Sequence, residues 1–266
     1  MGVGDQHWNQ IQSEAVSACE RDPSLNRLLK SVISESHGLE ASLSRLLARK
    51  LATEWIGVES LEVEFAEVFA TSAASGMRRD LQAIRDRDPV ARGFLAPFLF
   101  FKGFHALQSH RLSHWLWNRN RELLAVHLQS RISEVFGVDV HPAARLGSGI
   151  LMDHATGIVI GETCVIEDNV SLLHEVTLGG TGKETGDRHP KVRAGVLIGA
   201  GAKLLGNIEV GADAKVGAGS VVLDSVPPRC TVAGVPARIV ARAGGHMPAF
   251  DMDQVFPHSF EDGSGI

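Results

Sequence analysis

The sequence predicts an α + β chain: an N-terminal all-α helical domain, then a C-terminal left-handed parallel β-helix with a protruding loop and a flexible tail. Three observations carry this. Apolar residues before position 137 recur with the period of a helix. After Val138 aliphatic residues recur every six positions, and aromatic residues disappear from there until Phe250. A period of six belongs to neither a helix nor a hairpin array, and is the signature of stacked hexapeptide coils. The domains read as 1–137 for the helices, 138–242 for the β-helix and 243–266 for the tail.

In the helical half, Leu39, Leu43, Leu46, Leu47 and Leu51 form one buried stripe. Lys102 to Trp117 and Arg121 to Phe136 read as two further helices. Asp22-Pro23-Ser24 and Asp88-Pro89 mark places where a helix starts or stops, because the residue before a proline is pushed out of the α region. The stripes themselves speak for packing rather than for chemistry.

In the second half, Ile160, Ile166, Leu172 and Leu178 form one ladder, and Ile198, Leu204, Val210, Val216 and Val222 form another. Small or aliphatic residues stand two places before each rung, among them Cys164, Val170, Ala202, Ala214 and Ser220. The narrow interior of such a coil admits only residues of this size. Val140, Leu146 and Met152 form a first run, and a slip of two residues separates Met152 from Ile160. Stacked coils leave strand edges open at both ends, and the helical half is expected to cap one of them. Between Gly179 and Ala194 the ladder is interrupted by GGTGKETGDRHPKVRA, which is expected to protrude as a loop. It carries Arg188 and His189 side by side, which marks it as functional.

Composition excludes several classes. A net charge of −5 offers no basic face for nucleic acid. The longest apolar stretch, Phe94 to Phe101, contains Pro97 and is far short of the roughly 20 residues needed to span a membrane as a helix. MGVGDQHWNQIQSE lacks the layout of a signal peptide. The three cysteines, Cys19, Cys164 and Cys230, are far apart, so neither a disulfide framework nor a thiolate zinc site is expected. These features fit a cytoplasmic protein.

The candidate for chemistry is His154, in DHATG beside the slip. Asp139, in VDVHP, falls about one coil earlier. A carboxylate that accepts from one imidazole nitrogen fixes the tautomer and leaves the other nitrogen as a base toward an alcohol. His141, His174 and His189 are the other histidines of this half. Three histidines at a subunit interface hold zinc in the gamma-type carbonic anhydrases, but no pair here has the close spacing of such a site, and no metal is expected. His141 reads as a turn residue, and His174 as a satisfied, partly exposed side chain. Cys164 falls in an inward slot, where a thiol is inert.

DHATGIVIGET, VTLGGTG, GDRHPK, GAGAKLLGNIEVG and AGVPARIV, with RDPVARGF and FLFFKGFHALQSHRLSHWLW in the helical half, together resemble the serine O-acetyltransferases of bacteria and plants. The resemblance implies acetyl-CoA as co-substrate, L-serine as acceptor and a homotrimer or dimer of trimers with the active site between subunits. It further implies that His154 is the general base with Asp139 as its partner, that Asp88 and Asp153 hold the serine amino group, and that Arg188 and His189 hold its carboxylate. Gly180, Ala200 and Lys215 would line the coenzyme groove. L-cysteine is implied as an inhibitor at the serine site. The tail ends EDGSGI, and the resemblance implies that Ile266 docks into O-acetylserine sulfhydrylase. Direct transfer is favoured over a covalent intermediate. The alternatives at this point are a hexapeptide acetyltransferase for another hydroxyl, on a sugar or an antibiotic, a zinc hydratase of the gamma carbonic anhydrase type, and a non-catalytic scaffold for the sulfhydrylase.

Overall fold

The structure, a computed structural model, describes residues 5–182, 185–242 and 247–255. It divides into two compact units, residues 1–143 and 144–266.

The first unit is helical. Its opening helix, Gln6–Arg21, is capped by Asp5, whose carboxylate accepts from the His7 and Trp8 amides. After the Asp22-Pro23 break and a short turn of π-helix at Lys30–Ser34 come Leu39–Leu51, Val58–Phe69 and Ala73–Arg87. The expected leucine stripe is buried at every position, with Leu43, Leu47 and Leu51 fully inaccessible. The helix Ala73–Arg87 ends where the sequence places the break, at Asp88, whose backbone is extended ahead of Pro89. Leu95–Phe100 is a short helix. The next runs Lys102–Trp117, and the last, Glu122–Phe136, stops on Gly137 in the left-handed conformation. A buried polar knot sits inside this bundle: the inaccessible Asp80 accepts from Gln108 and Arg111. His105, also buried, bonds through Nε2 to the Phe98 carbonyl at 2.8 Å. Burial pushes its pKa down to about 4.

The second unit is a parallel β-solenoid. One face stacks Arg145–Leu146, Val165–Ile166, Lys191–Val192 and Glu209–Val210. A second stacks Ile158–Ile160, Thr177–Gly179, Lys203–Leu205 and Val221–Val222. The third stacks Leu151–Met152, Ser171–Leu172, Leu197–Ile198, Lys215–Val216 and Cys230–Gly234, and the last of these turns back as the antiparallel strand Ala237–Arg242. All nine expected rungs are at most 2% exposed, so the six-residue period maps onto the thin core without a register error.

Two expectations need adjusting. The interruption of the ladder is shorter than 179–194, because Thr177–Gly179 and Lys191–Val192 are both strands and Val192 is buried as a rung. A glycine or a charge on the outward side of a strand does not stop the chain from pairing, which the sequence pattern alone obscures. Part of the tail is also fixed. Residues Pro248–Asp251 form a helical turn on the solenoid, where Ala249 is fully buried, its carbonyl accepts from Ser171 Oγ, and its amide donates to the Gly195 carbonyl. Ile266 lies outside the described residues.

Candidate active site

The slip between Met152 and Ile160 is a widened corner of the solenoid. His154 and Ala155 both have positive φ, 54° and 58°, and Gly157 follows at 74°. Tight local bonds hold the turn: the Thr156 amide donates to the His154 carbonyl and the Ile158 amide to that of Ala155. The Asp153 amide ties the turn to Leu172 of the next coil. Two consecutive non-glycine residues in this region are strained, at a cost of about 1–3 kcal/mol each. The result is that the His154 ring stands out from the solenoid, exposed, with the half-buried Asp153 before it.

His174 occupies the equivalent corner of the next coil. Its ring meets that of His154 edge to face, with centroids 5.9 Å apart. It is not the satisfied side chain expected, since its Nδ1 is buried and finds no hydrogen-bond partner among the described residues. The sequence contains no signal for this, because the contact depends on which corners stack. His141 does behave as a turn residue: its Nδ1 accepts from the Ala143 amide and its ring packs on Trp117.

The loop after Gly179 folds back onto the segment Gly161–Thr163. Thr163 Oγ1 accepts from the Arg188 and His189 amides, both at 3.0 Å. His189 is buried, and its Nδ1 lies 2.9 Å from Thr163 Oγ1 and accepts from the Thr163 amide at 3.2 Å. The ring lies flat against Gly161, where a β-carbon would come within 2.2 Å of Nε2. Gly180 is close by, with its would-be β-carbon 3.5 Å from the same nitrogen. Arg188 is half-buried and bonds Glu162 at 2.7 Å and the Gly186 carbonyl at 3.1 Å. Lys191 closes the loop by donating to the carbonyls of Thr163 and His189 and to Asp187. That last bond holds the Asp187 carboxyl below the usual range.

Thus Gly180, Arg188 and His189 come together, joined by Gly161, Glu162 and Thr163, which sequence reading did not single out. Ala200 sits at the corner Gly199–Gly201, where its carbonyl accepts from the Gly219 amide. Lys215 does not present an open ammonium. It is 9% exposed, donates to the Val255 carbonyl at 2.8 Å and lies 3.9 Å from Asp253, and burial lowers its pKa. The fixed part of the tail therefore covers it.

The two remaining candidates belong to the helical unit. Asp88 caps the end of Ala73–Arg87, with Oδ1 accepting from the Val90 amide at 2.9 Å. Asp139, on Val138–Val140, accepts from Gln129 Nε2 at 2.7 Å, which leaves its other oxygen for a second donor. Cys164 is buried, and burial pushes its thiol up to about 12, so it holds no thiolate at neutral pH. Among the described residues no cluster of three or more His, Cys, Asp or Glu is placed to hold a metal ion. No helix among them is long and apolar enough to cross a membrane.

Comparison with known proteins gives a consistent result. The family model "Serine acetyltransferase, N-terminal" matches residues 7–109, and the bacterial transferase hexapeptide model matches residues 189–224. The chain is 51% identical over 264 residues to the serine acetyltransferase of Salmonella typhimurium, covering 97% of each. Its fold matches the Brucella abortus serine acetyltransferase in complex with coenzyme A, with a TM-score of 0.89 and 52% identity over 90% of this chain and 97% of the other. A serine acetyltransferase in complex with cysteine matches with a TM-score of 0.92 and 54% identity, over 94% and 98% of the two chains. The soybean enzyme complexed with serine matches with a TM-score of 0.87 and 52% identity, over 90% and 100%. With half its residues shared along nearly its whole length, the chain belongs to the serine acetyltransferase family of hexapeptide-repeat acyltransferases.

Proposed function

We propose that this protein transfers the acetyl group of acetyl-CoA to the hydroxyl of L-serine, giving O-acetyl-L-serine and CoA, with His154 as the general base. The reaction supplies the activated serine for L-cysteine biosynthesis. The observation that carries the mechanism is the strained corner that holds an exposed imidazole at a fixed point of the solenoid. Orientation of this kind is worth roughly 7–11 kcal/mol when both reactants are held in line.

Asp88 and Asp153 hold the ammonium of serine. Arg188 holds its carboxylate, for which its guanidinium has further donors beyond the two engaged by Glu162 and Gly186. His189 supplies a second donor to the same carboxylate. His154, oriented by Asp139, takes the hydroxyl proton as the serine oxygen attacks the thioester carbonyl. Collapse of the tetrahedral intermediate breaks the C–S bond, and the imidazolium returns the proton to the leaving thiolate. Gly180, Ala200 and Lys215 line the coenzyme groove, and use of Lys215 requires the segment 247–255 to leave it. The inert, buried thiol of Cys164 supports direct transfer. L-Cysteine, which differs from L-serine only in S for O, competes for the same clamp.

The active assembly is a homotrimer or a dimer of trimers, the tail through Ile266 docks O-acetylserine sulfhydrylase, and the protein works in the cytoplasm. The functional reading is tested by thiol release from acetyl-CoA with L-serine, L-homoserine or a sugar as acceptor. L-Serine is expected to be preferred by at least tenfold in kcat/KM. A sugar or homoserine accepted equally well overturns the assignment of the acceptor.

A further inference from the structure

The mechanism gives His189 a donor's role, and a histidine donates from a given nitrogen only in the right tautomer. The structure holds the means of setting it. His189 Nδ1 faces two groups of Thr163: the backbone amide at 3.2 Å and the hydroxyl at 2.9 Å. The amide can only donate. An Nδ1 that bears hydrogen would oppose it, so Nδ1 is the lone-pair nitrogen and the ring hydrogen sits on Nε2. The hydroxyl completes the arrangement. Its oxygen accepts from the Arg188 and His189 amides, both at 3.0 Å, and its one hydrogen is shared between Nδ1 and the Asp187 carboxylate, to which the Thr163 side chain also bonds. Thr163 Oγ1 thus touches both residues proposed to hold the acceptor's carboxylate, through the two amides and through Nδ1.

We infer that Thr163 is a positioning residue for acceptor binding, which fixes His189 with its Nε2–H turned toward the acceptor and pins the Arg188–His189 backbone beneath it. This rests on the proposed role of His189 as a carboxylate donor. Two further features agree with it. Nε2 lies beside Gly161 and Gly180, whose would-be β-carbons fall 2.2 and 3.5 Å from it, so the missing side chains give the ring its place. Lys191 Nζ bonds the carbonyls of both Thr163 and His189, so the two residues are clamped from the other side of the backbone as well. Thr163 stands two residues before the strand Val165–Ile166 and His189 two before its partner strand Lys191–Val192, with Val165 paired to Lys191. The contact is thus set by the solenoid register rather than by the loop.

The test compares Thr163→Val, which keeps shape and loses the hydroxyl, with Thr163→Ser, which keeps the hydroxyl. Thr163→Val is expected to raise the KM for L-serine by about tenfold or more, the scale of one or two hydrogen bonds lost with their partners left unpaired. The KM for acetyl-CoA should stay within about twofold, and Thr163→Ser should restore the serine KM to a similar margin. A serine KM unchanged in Thr163→Val, while His189→Ala raises it, overturns the role of Thr163 alone. A serine KM unchanged in His189→Ala overturns the carboxylate role of His189 and this inference with it. Independently of any variant, 15N spectra of the intact histidine-labelled protein are expected to show His189 Nδ1 unprotonated and Nε2 protonated in the neutral ring. The opposite pattern overturns the inference.

Discussion

The two units solve the problem of a core in opposite ways. The helical unit buries large side chains, among them Phe65, Phe69, Phe98 and the full leucine stripe. The solenoid fills a thin interior with Ile, Leu, Val, Ala and Cys, and has no aromatic residue in its coils. In the bundle, packing fixes helices, and candidate residues such as Asp88 stand where helices end. In the solenoid, the backbone ladder fixes the side chains, and the candidate residues His154, Arg188 and His189 collect where φ turns positive or where a loop leaves and returns. The lesson is that a side chain in the bundle is placed by its neighbours, whereas one in the solenoid is placed by its index along the coil.

The sharpest way to break this contrast is at the corner. His154→Ala should lower kcat by about 10²–10⁴-fold, the range for a single general base, while melting behaviour and oligomer size stay as they are. Near-normal turnover would remove His154 from the chemistry. The converse belongs to the bundle. Leu47→Ala leaves a cavity in a fully buried site and should cost about 2–5 kcal/mol of stability, measured by denaturant unfolding. Loss of activity in that variant at temperatures where it remains folded would show that the bundle does more than support.

A third expectation concerns His105. Its pKa is about 4 when folded and near 6.5 when unfolded, so the unfolded chain takes up the proton first as pH falls. Stability from this residue is complete above pH 6.5 and is lost on descending toward pH 4, by about 3 kcal/mol at most. His105→Gln should flatten that part of the stability–pH curve, and an unaltered slope would refute the attribution. The smallest effect is expected at Gly161→Ala, where the new methyl group meets the His189 ring. Displacing a loop-borne ring costs about 1–3 kcal/mol, read as a raised serine KM, and a serine KM equal to that of the unaltered protein would mean the ring is not held where the structure places it.

Much of this was legible in the sequence. The helix Lys102–Trp117, the stripe from Leu39 to Leu51 and the nine rungs of the two ladders follow from periodicity, because each period has one geometric meaning, whereas the rung at Val192 did not. The slip after Met152 even pointed to the corner that holds His154. What was hidden depends on stacking. Thr163 and His189 are neighbours only once the strand after the loop is known to pair with Val165–Ile166, and a gap of irregular length conceals that register. The same holds for His174, whose contact with His154 needs the vertical alignment of two corners. The turn at Pro248–Asp251 was read as loose because glycine, proline and acids dominate there, yet Ser171 and a buried Ala249 anchor it. The serine-holding roles proposed for Asp88, Asp153, Arg188 and His189 were legible only through resemblance, since no spacing in the sequence brings the four together.

The continued pairing across the loop has a consequence for how such a protein can change. Val165 pairs with Lys191 and Ile166 with Val192, just as those residues pair with Glu209 and Val210, although the chain detours between Gly179 and Lys191. The coil keeps count regardless of what is spliced between two of its rungs. Insertions there alter the loop that carries Arg188 and His189 without propagating into the stack above or below. Loop length is therefore a free variable of this architecture, open to drift and to engineering. The residues two places ahead of each resumed strand are not free, for they are the hinges on which any new loop would have to hang.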